Sequence, residues 1–281
     1  MKILITGAKG MLGQDLSASL RSAGHEVTDA DLPEVDITDP AQCEQAVAGH
    51  DWVLNPAAYT AVDRCESEEA LAFAVNAVGP ANLGRAARRA GARILHLSTD
   101  YVFAGDATAP YAEDAPVAPR SAYGRTKAAG EWAVRAECPD AIIVRTAWLY
   151  GPGGNNIVKT IARVARERDT LSFVDDQRGQ PTATRDLVRF IADVVRMDVE
   201  PGIYHGTSEG ETTWYAVAQA VLEELGMDPA RVRPIKTHEY PLPAPRPAYS
   251  VLGHDHTDAV GIARLPHWRD GLAATIKDVV G

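Results

Sequence analysis

Tyr123 and Lys127 stand four residues apart in the stretch Tyr123-Gly124-Arg125-Thr126-Lys127. On an α-helix that spacing puts both side chains on one face, so both can enter one cleft. A phenol of pKa about 10 is a poor proton donor to a carbonyl at neutral pH. An ammonium about 4 Å away attracts the phenolate by about 4 kcal/mol at an effective dielectric of about 20, before the lysine's desolvation cost. The pair therefore predicts a phenol acidified by up to about three pK units. Ser98 and Thr99 end an apolar run, Thr99 standing 24 residues before the tyrosine, and offer a hydroxyl that can meet it. A second signal is Gly7-Ala8-Lys9-Gly10-Met11-Leu12-Gly13, directly after the apolar run Lys2–Thr6. Glycines serve where backbone must turn sharply or approach a pyrophosphate, and a helix N-terminus offers free N–H groups to phosphates. Read together, these residues predict a dinucleotide beside a proton-donating phenol.

These groups need a scaffold. Lys2–Thr6, Glu26–Thr28, Asp51–Leu54, Arg93–Ser98 and Ala141–Arg145 read as strands, with a further short strand before Asp36, so that the last of them is the sixth. Between them lie helical stretches: Leu12, Leu16 and Leu20 repeat every four residues before Gly24, residues 68–90 are Ala-rich and closed by Gly91, and Ser121–Arg135 follows Pro119. This alternation predicts a Rossmann-like, doubly wound parallel sheet with helices on both faces. Residues 1–147 form the dinucleotide-binding domain, with 172–206 returning to it; 148–171 and 207–281 form a smaller, discontinuous C-terminal substrate domain over the edge of the sheet where ligands sit. Asp29 and Asp31 follow the second strand, where an acid bonds a ribose 2′-hydroxyl and disfavours a 2′-phosphate, which leans toward NADH. Asp36 and Ile37 follow the third short strand and can flank an adenine.

Composition excludes several classes. The 281 residues are 46% hydrophobic and 23% charged, ordinary globular values. A net charge of −10 argues against a nucleic-acid binder, which would show a basic face. No apolar stretch approaches the roughly 20 residues of a membrane span, and the run in MKILITG is too short for a secretory signal. Cys43, Cys65 and Cys138 show neither metal-ligand spacing nor a disulfide framework, so a reducing, cytoplasmic setting is expected.

The chain resembles the extended short-chain dehydrogenase/reductases that act on nucleotide sugars, and within them the dTDP-4-dehydrorhamnose reductase family. The glycine spacing GxxGxxG carries part of the likeness. The rest lies in VDITDP, NPAAYTAVDRCE, VNAVGPANL, LSTDYVFAG, AYGRTKAAGE, VRTAWLYG, GGNNIVKT, DDQRGQPT and RPAYSVL. The resemblance implies reduction of the C4 ketone of a dTDP-linked 4-keto-6-deoxy sugar by NADPH or NADH. It places the catalytic set on Thr99, Tyr123 and Lys127, with Tyr123 protonating the forming alkoxide, Thr99 bonding the substrate oxygen, and Lys127 also bonding the nicotinamide ribose. It gives the cofactor Gly7, Gly10, Met11, Leu12, Gly13, Asp29, Asp36, Ile37, Ala57, Ala58, Tyr59 and Asn76, the last as structural support. It gives the sugar nucleotide Thr60, Val62, Asp63, Thr99, Asp100, Tyr101, Trp148, Asn155, Asn156, Gln177, Arg178 and Arg246. A guanidinium in RPAYS suits a diphosphate, so Arg246 is preferred to Arg178.

The sequence also departs from its relatives. Tyr249 and Gly253 replace an Asn and an acid in the loop assigned to the nucleotide. Some relatives hold Mg2+ between subunits; Asp15 matches part of that set, but Arg185 or Asp186 leaves it incomplete, and no metal is expected. His254-Asp255-His256 lacks further ligand spacing and reads as solvated. The alternatives are a nucleotide-sugar epimerase or dehydratase, and a noncatalytic regulatory subunit like that of methionine adenosyltransferase. Related 4,6-dehydratases carry Asp-Glu after the threonine, whereas Tyr101 here supplies no carboxylate. The intact Thr99, Tyr123 and Lys127 oppose the regulatory reading. The expected assembly is a monomer or homodimer, with neither nucleic acid nor membrane as partner.

Overall fold

The computed structural model describes residues 1–281. Six parallel strands form its central sheet: β1 (Lys2–Thr6), β2 (Glu26–Ala30), β3 (Trp52–Asn55), β4 (Arg93–Thr99), β5 (Ile142–Thr146) and β6 (Gly202–His205), in the order β6-β5-β4-β3-β1-β2. The chain leaves β1 to one side for β2 and returns to the other side for β3, which creates the crevice where doubly wound sheets bind ligands. The inner strands β1, β3, β4 and β5 are buried along most of their length because both faces are covered, whereas the edge strand β2 is mostly exposed. One face packs on α1 (Met11–Ser22) and α6 (Thr184–Met197) through a cluster that includes Ile3, Ile5, Leu16, Leu20 and Phe190. The other packs on α2 (Pro40–Val47), α3 (Gly79–Ala90) and α4 (Ala122–Glu137) around Leu4, Val53, Leu83, Ile94 and Val134.

A second core lies beyond the sheet. It joins α5 (Ile157–Glu167), α7 (Trp214–Glu224) and α8 (Trp268–Val280) through Val158, Ile161, Val221, Leu272 and Ile276. A two-stranded piece belongs to it: Leu171–Val174 pairs with Val232–Ile235. Residues 172–174 therefore sit with the second core, and the return to the sheet begins with α6 rather than at residue 172.

Two further expectations need correction. No strand lies between β2 and Asp36: residues 32–34 form a turn and Val35 and Asp36 are irregular, so Ile142–Thr146 is the fifth strand, not the sixth. Leu32-Pro33 and acidic neighbours give this segment no apolar alternation to support pairing. The Ala-rich stretch is also not one regular helix. Glu69–Phe73 and α3 are joined by a wider π turn at Ala74–Val78. Such turns cluster at functional sites, and this one carries Asn76. No helix is long and apolar enough to cross a membrane.

Candidate active site

A cleft of about 820 Å3 opens at the C-terminal ends of the sheet strands. Gly7, Gly10, Met11, Leu12 and Gly13 form one wall. Gly7 adopts φ +66°, and a Cβ there would lie 2.7 Å from Ala57 Cα, so only glycine lets this loop rest on the β3 exit. No side chain caps α1, which leaves the N–H groups of its first turn free for an anion. Asp36, Ile37, Ala57 and Ala58 continue this wall, and Thr60 and Val62 follow.

Thr99, Asp100, Tyr101, Tyr123, Lys127, Trp148 and Asn155 line the same cleft. Thr99 ends β4, and its hydroxyl lies 3.0 Å from Asp100 Oδ1 and accepts from Tyr101 N. Tyr123 and Lys127 sit on the first two turns of α4, whose start is fixed by Ser121 Oγ accepting from Gly124 N at 3.0 Å. A methyl group at Gly124 would collide with the Tyr101 carbonyl, so glycine brings the helix onto the turn after β4. Tyr101 meets Tyr123 edge to face, with ring centroids 5.6 Å apart. Trp148 holds φ +48° and stacks on Trp214, centroids 3.6 Å apart. Strained backbone of this kind is characteristic of ligand sites.

Electrostatics contradict one expectation. Lys127 Nζ donates to the Leu97 carbonyl at 2.6 Å and lies 3.4 Å from His96 Nε2. Burial and the neighbouring Asp100 push the Tyr123 pKa above its ordinary value, while the Thr99 hydroxyl draws it partly back. The phenol is thus held protonated rather than acidified. Burial lowers Lys127 to about 8, with Glu131 opposing. Burial likewise raises Asp100 to about 6.

Several expected contacts lie elsewhere. Asp29 pairs with Arg21 at 2.7 Å and accepts from Ser17, which turns it out of the cleft. Asp31 lines the cleft instead, accepting from the N–H groups of Lys9 and Leu32 at 2.8 Å each. The Tyr59 hydroxyl bonds Glu68, so that ring does not line the cofactor wall. Asn76 bonds both the N–H and the carbonyl of Tyr59 and reaches Thr126 Oγ1 at 3.1 Å; it braces the wall against α4. Asp63 accepts from Arg246 at 2.7 Å and from Ala244 N, and is a counter-ion rather than a free sugar ligand. Asn156 caps α5, Gln177 bonds Thr237, and Arg178 pairs with Glu211. These three and Arg246 lie outside the cleft lining, because nearby partners satisfy them. Asp186 pairs with Arg189. His254 bonds Thr207 while His256 bonds the Ile203 carbonyl, so they do not converge.

Lys9, Trp214 and Thr146 also line the cleft. Lys9 occupies a variable place in the glycine pattern, and Trp214 comes from a distant helix start with no local motif. Thr146 lies beside Thr99 in the β4–β5 register. Thr146 Oγ1 and Asp100 Oδ2 are buried without protein partners.

Comparison with known proteins accounts for this constellation. The family model described as RmlD substrate binding domain matches residues 1–280. A dTDP-4-dehydrorhamnose reductase of Streptomyces griseus is 48% identical, the match covering 99% of this chain and 94% of that protein. A probable dTDP-4,6-dihydroxy-2-methyloxan-3-one 4-ketoreductase of Streptomyces antibioticus is 47% identical, over 100% and 96%. The crystal structure of dTDP-4-dehydrorhamnose reductase from Bacillus anthracis, in complex with NADP, superimposes with a TM-score of 0.94 at 36% identity, over 99% of each chain. With its glycine loop and its Thr99–Tyr123–Lys127 set on one cleft, the chain belongs to the dTDP-4-dehydrorhamnose reductase family.

Proposed function

We propose that this chain reduces the C4 ketone of a dTDP-linked 4-keto-6-deoxy sugar with NADPH or NADH, converting dTDP-4-dehydro-L-rhamnose to dTDP-L-rhamnose, the last step of dTDP-rhamnose biosynthesis. The observation that carries this reading is the convergence of an uncapped glycine-loop helix, Thr99, Tyr123 and Lys127 on one cleft. Both Streptomyces relatives bear names that place their chemistry on a dTDP sugar, one a 4-dehydro sugar and the other a 4-keto group.

The residues fit the cofactor. The first turn of α1 offers N–H groups to a pyrophosphate, and Asp31 offers a carboxylate to a ribose hydroxyl, while the Lys9 ammonium nearby is held by Glu34 and the Leu32 carbonyl. When bound, the reduced nicotinamide supplies the hydride. Tyr123 then donates its phenolic proton to the oxygen at C4, and its raised pKa keeps that proton in place at neutral pH. Thr99 fixes the same oxygen by hydrogen bonding. Lys127 places a positive charge near the developing negative one, a form of stabilisation worth most where water is excluded. Tyr101 and the Trp148–Trp214 stack offer apolar faces to a deoxy sugar. Tyr101 stands where a dehydratase needs a carboxylate, which favours net reduction over water removal.

The smaller unit, residues 148–171 and 207–281, then carries the nucleotide-sugar side, extended by the strand at 171–174. The chain works as a monomer or homodimer in the cytoplasm, a setting in keeping with its three free cysteines. The test is an absorbance assay at the nicotinamide band with a panel of 4-keto nucleotide sugars. One cofactor oxidised per sugar reduced is expected; conversion without net oxidation would point to an epimerase or dehydratase.

A further inference from the structure

A line of buried polar side chains runs from the glycine loop to the lysine and has no role in the reaction described above. Thr6 Oγ1, at the end of β1, lies 2.7 Å from Asn55 Oδ1 on β3. Asn55 Nδ2 lies 3.0 Å from His96 Nδ1 on β4. His96 Nε2 faces Lys127 Nζ at 3.4 Å. Thr6, Asn55 and His96 expose no surface, and Lys127 exposes 2%. The register fixes this line, since Asn55 and His96 are direct neighbours across β3 and β4. Polar groups in such a place cost stability unless each is paired. A fully paired chain holds its members rigidly.

We propose that His96 is a positioning residue for Lys127: its Nε2 accepts from the ammonium when the Asn55 amide presents its oxygen to the ring, and gives up that role when the amide presents its NH2.

The argument is one of donors and acceptors. An ammonium only donates. Neutral imidazole can accept at Nε2 only if its proton is on Nδ1, and that proton then needs an acceptor. The Asn55 amide supplies one when its oxygen faces the ring and its NH2 faces the Thr6 hydroxyl. In this structure the amide is turned the other way, with Oδ1 on the Thr6 hydroxyl and Nδ2 on the ring; there Nδ1 accepts, Nε2 carries the proton, and the ring suits only an uncharged amine. Amide oxygen and nitrogen exchange places by a half-turn, so amide, imidazole and lysine change state together. His96 itself stays neutral, since burial and Lys127 push its pKa well below the ordinary value. The other ionisable groups facing the lysine leave this role open. Glu131, one turn further along α4, is held by Arg145 from β5 and by Ser98 from β4. Tyr123 on α4 is an uncharged phenol, and Asp100 after β4 is engaged by Thr99.

The proposal rests on Lys127 belonging to the active cleft, but its test does not depend on turnover. The chain has six lysines, and only Lys127 is buried. Its Nζ titration can therefore be followed by NMR in the cofactor-free protein labelled with 15N-lysine. His96→Leu removes the acceptor, so Lys127 should titrate about one pH unit lower. His96→Gln, which keeps an acceptor, should restore it. With 15N-histidine label, the ring nitrogens of His96 in the parent protein should show the proton on Nδ1 while Lys127 is charged and on Nε2 once it is an amine. A lower Lys127 titration in His96→Leu, restored in His96→Gln, together with a ring proton that changes nitrogen across the same pH range, supports the proposal, and a merely structural role would not move that proton. Unchanged titration, or a ring proton that stays on one nitrogen, would overturn it; if His96→Leu fails to fold, the ring-nitrogen titration of the parent protein decides. Loss of sugar reduction in the parent protein would instead count against the functional reading and leave this titration intact.

Discussion

At the scale of single residues, the chemistry turns on which group holds a proton and when. Tyr123 is kept protonated by burial and by Asp100, so it enters the reaction loaded as an acid. Tyr123→Phe should lower kcat by about 10²–10⁴, the usual loss for a missing general acid. Cofactor affinity, measured by fluorescence titration, should hardly change. Lys127 titrates at about 8 in the cofactor-free protein. Below that pH it is an ammonium and above it an amine, so kcat/KM should fall as pH rises through about 8. The pair was legible because the spacing of Tyr123 and Lys127 has a helical meaning. The lysine's direction was not, since Leu97 and His96 lie on a strand that only the folded chain brings beneath the helix. Asp29 and Asp31 show the same limit: both follow β2, but only the fold shows that Arg21 captures the first.

At the scale of elements, position depends on short contacts between strands and helices. The sheet strands, to within a residue or two at their ends, and the glycine loop were readable from local pattern, because each obeys a rule of backbone geometry. Less readable were elements defined by distant partners. The strand at 171–174 pairs with residues 61 positions further on, Leu171 with Val232 at its start, and nothing in its own residues assigns it to either core. The π turn at Ala74–Val78 and the Asp63–Arg246 pair are of the same kind. One such long-range contact steadies α4 against β5: Glu131 and Arg145, each 2% exposed, pair at 2.8 Å. Glu131→Ala would leave the guanidinium buried without its counter-ion. A loss of about 3–5 kcal/mol in urea unfolding is expected, whereas a near-neutral outcome would show that the guanidinium finds another partner.

At the scale of the whole molecule, buried histidines tie the fold to pH. Burial and Arg145 lower His205 to about 3 from 6.5, and His96 is lowered too. Between about 3 and 6.5 the unfolded chain carries a proton on His205 that the folded chain lacks, so stability rises with pH across that window and is lost as pH falls. Asp100, raised to about 6 from 3.8, opposes this between those values, and Asp186 is raised by burial too, but they are two groups against three, since burial also lowers His254. Thermal midpoints should therefore drop below pH 6.5, and a flat profile down to pH 4 would contradict the burial of those rings. The doubly wound sheet followed from alternating strands and helices, whereas the assignment of the last third to two cores required long-range packing. The most direct test of the central claim uses NADPH or NADH carrying deuterium at the transferable position, with the dTDP-4-keto-6-deoxy sugar as substrate. Mass spectrometry and NMR of the product should find one deuterium at C4, and Tyr123→Phe should slow its arrival without moving it. Product with no deuterium at C4, or deuterium retained on the nicotinamide while the sugar is converted, would contradict the account.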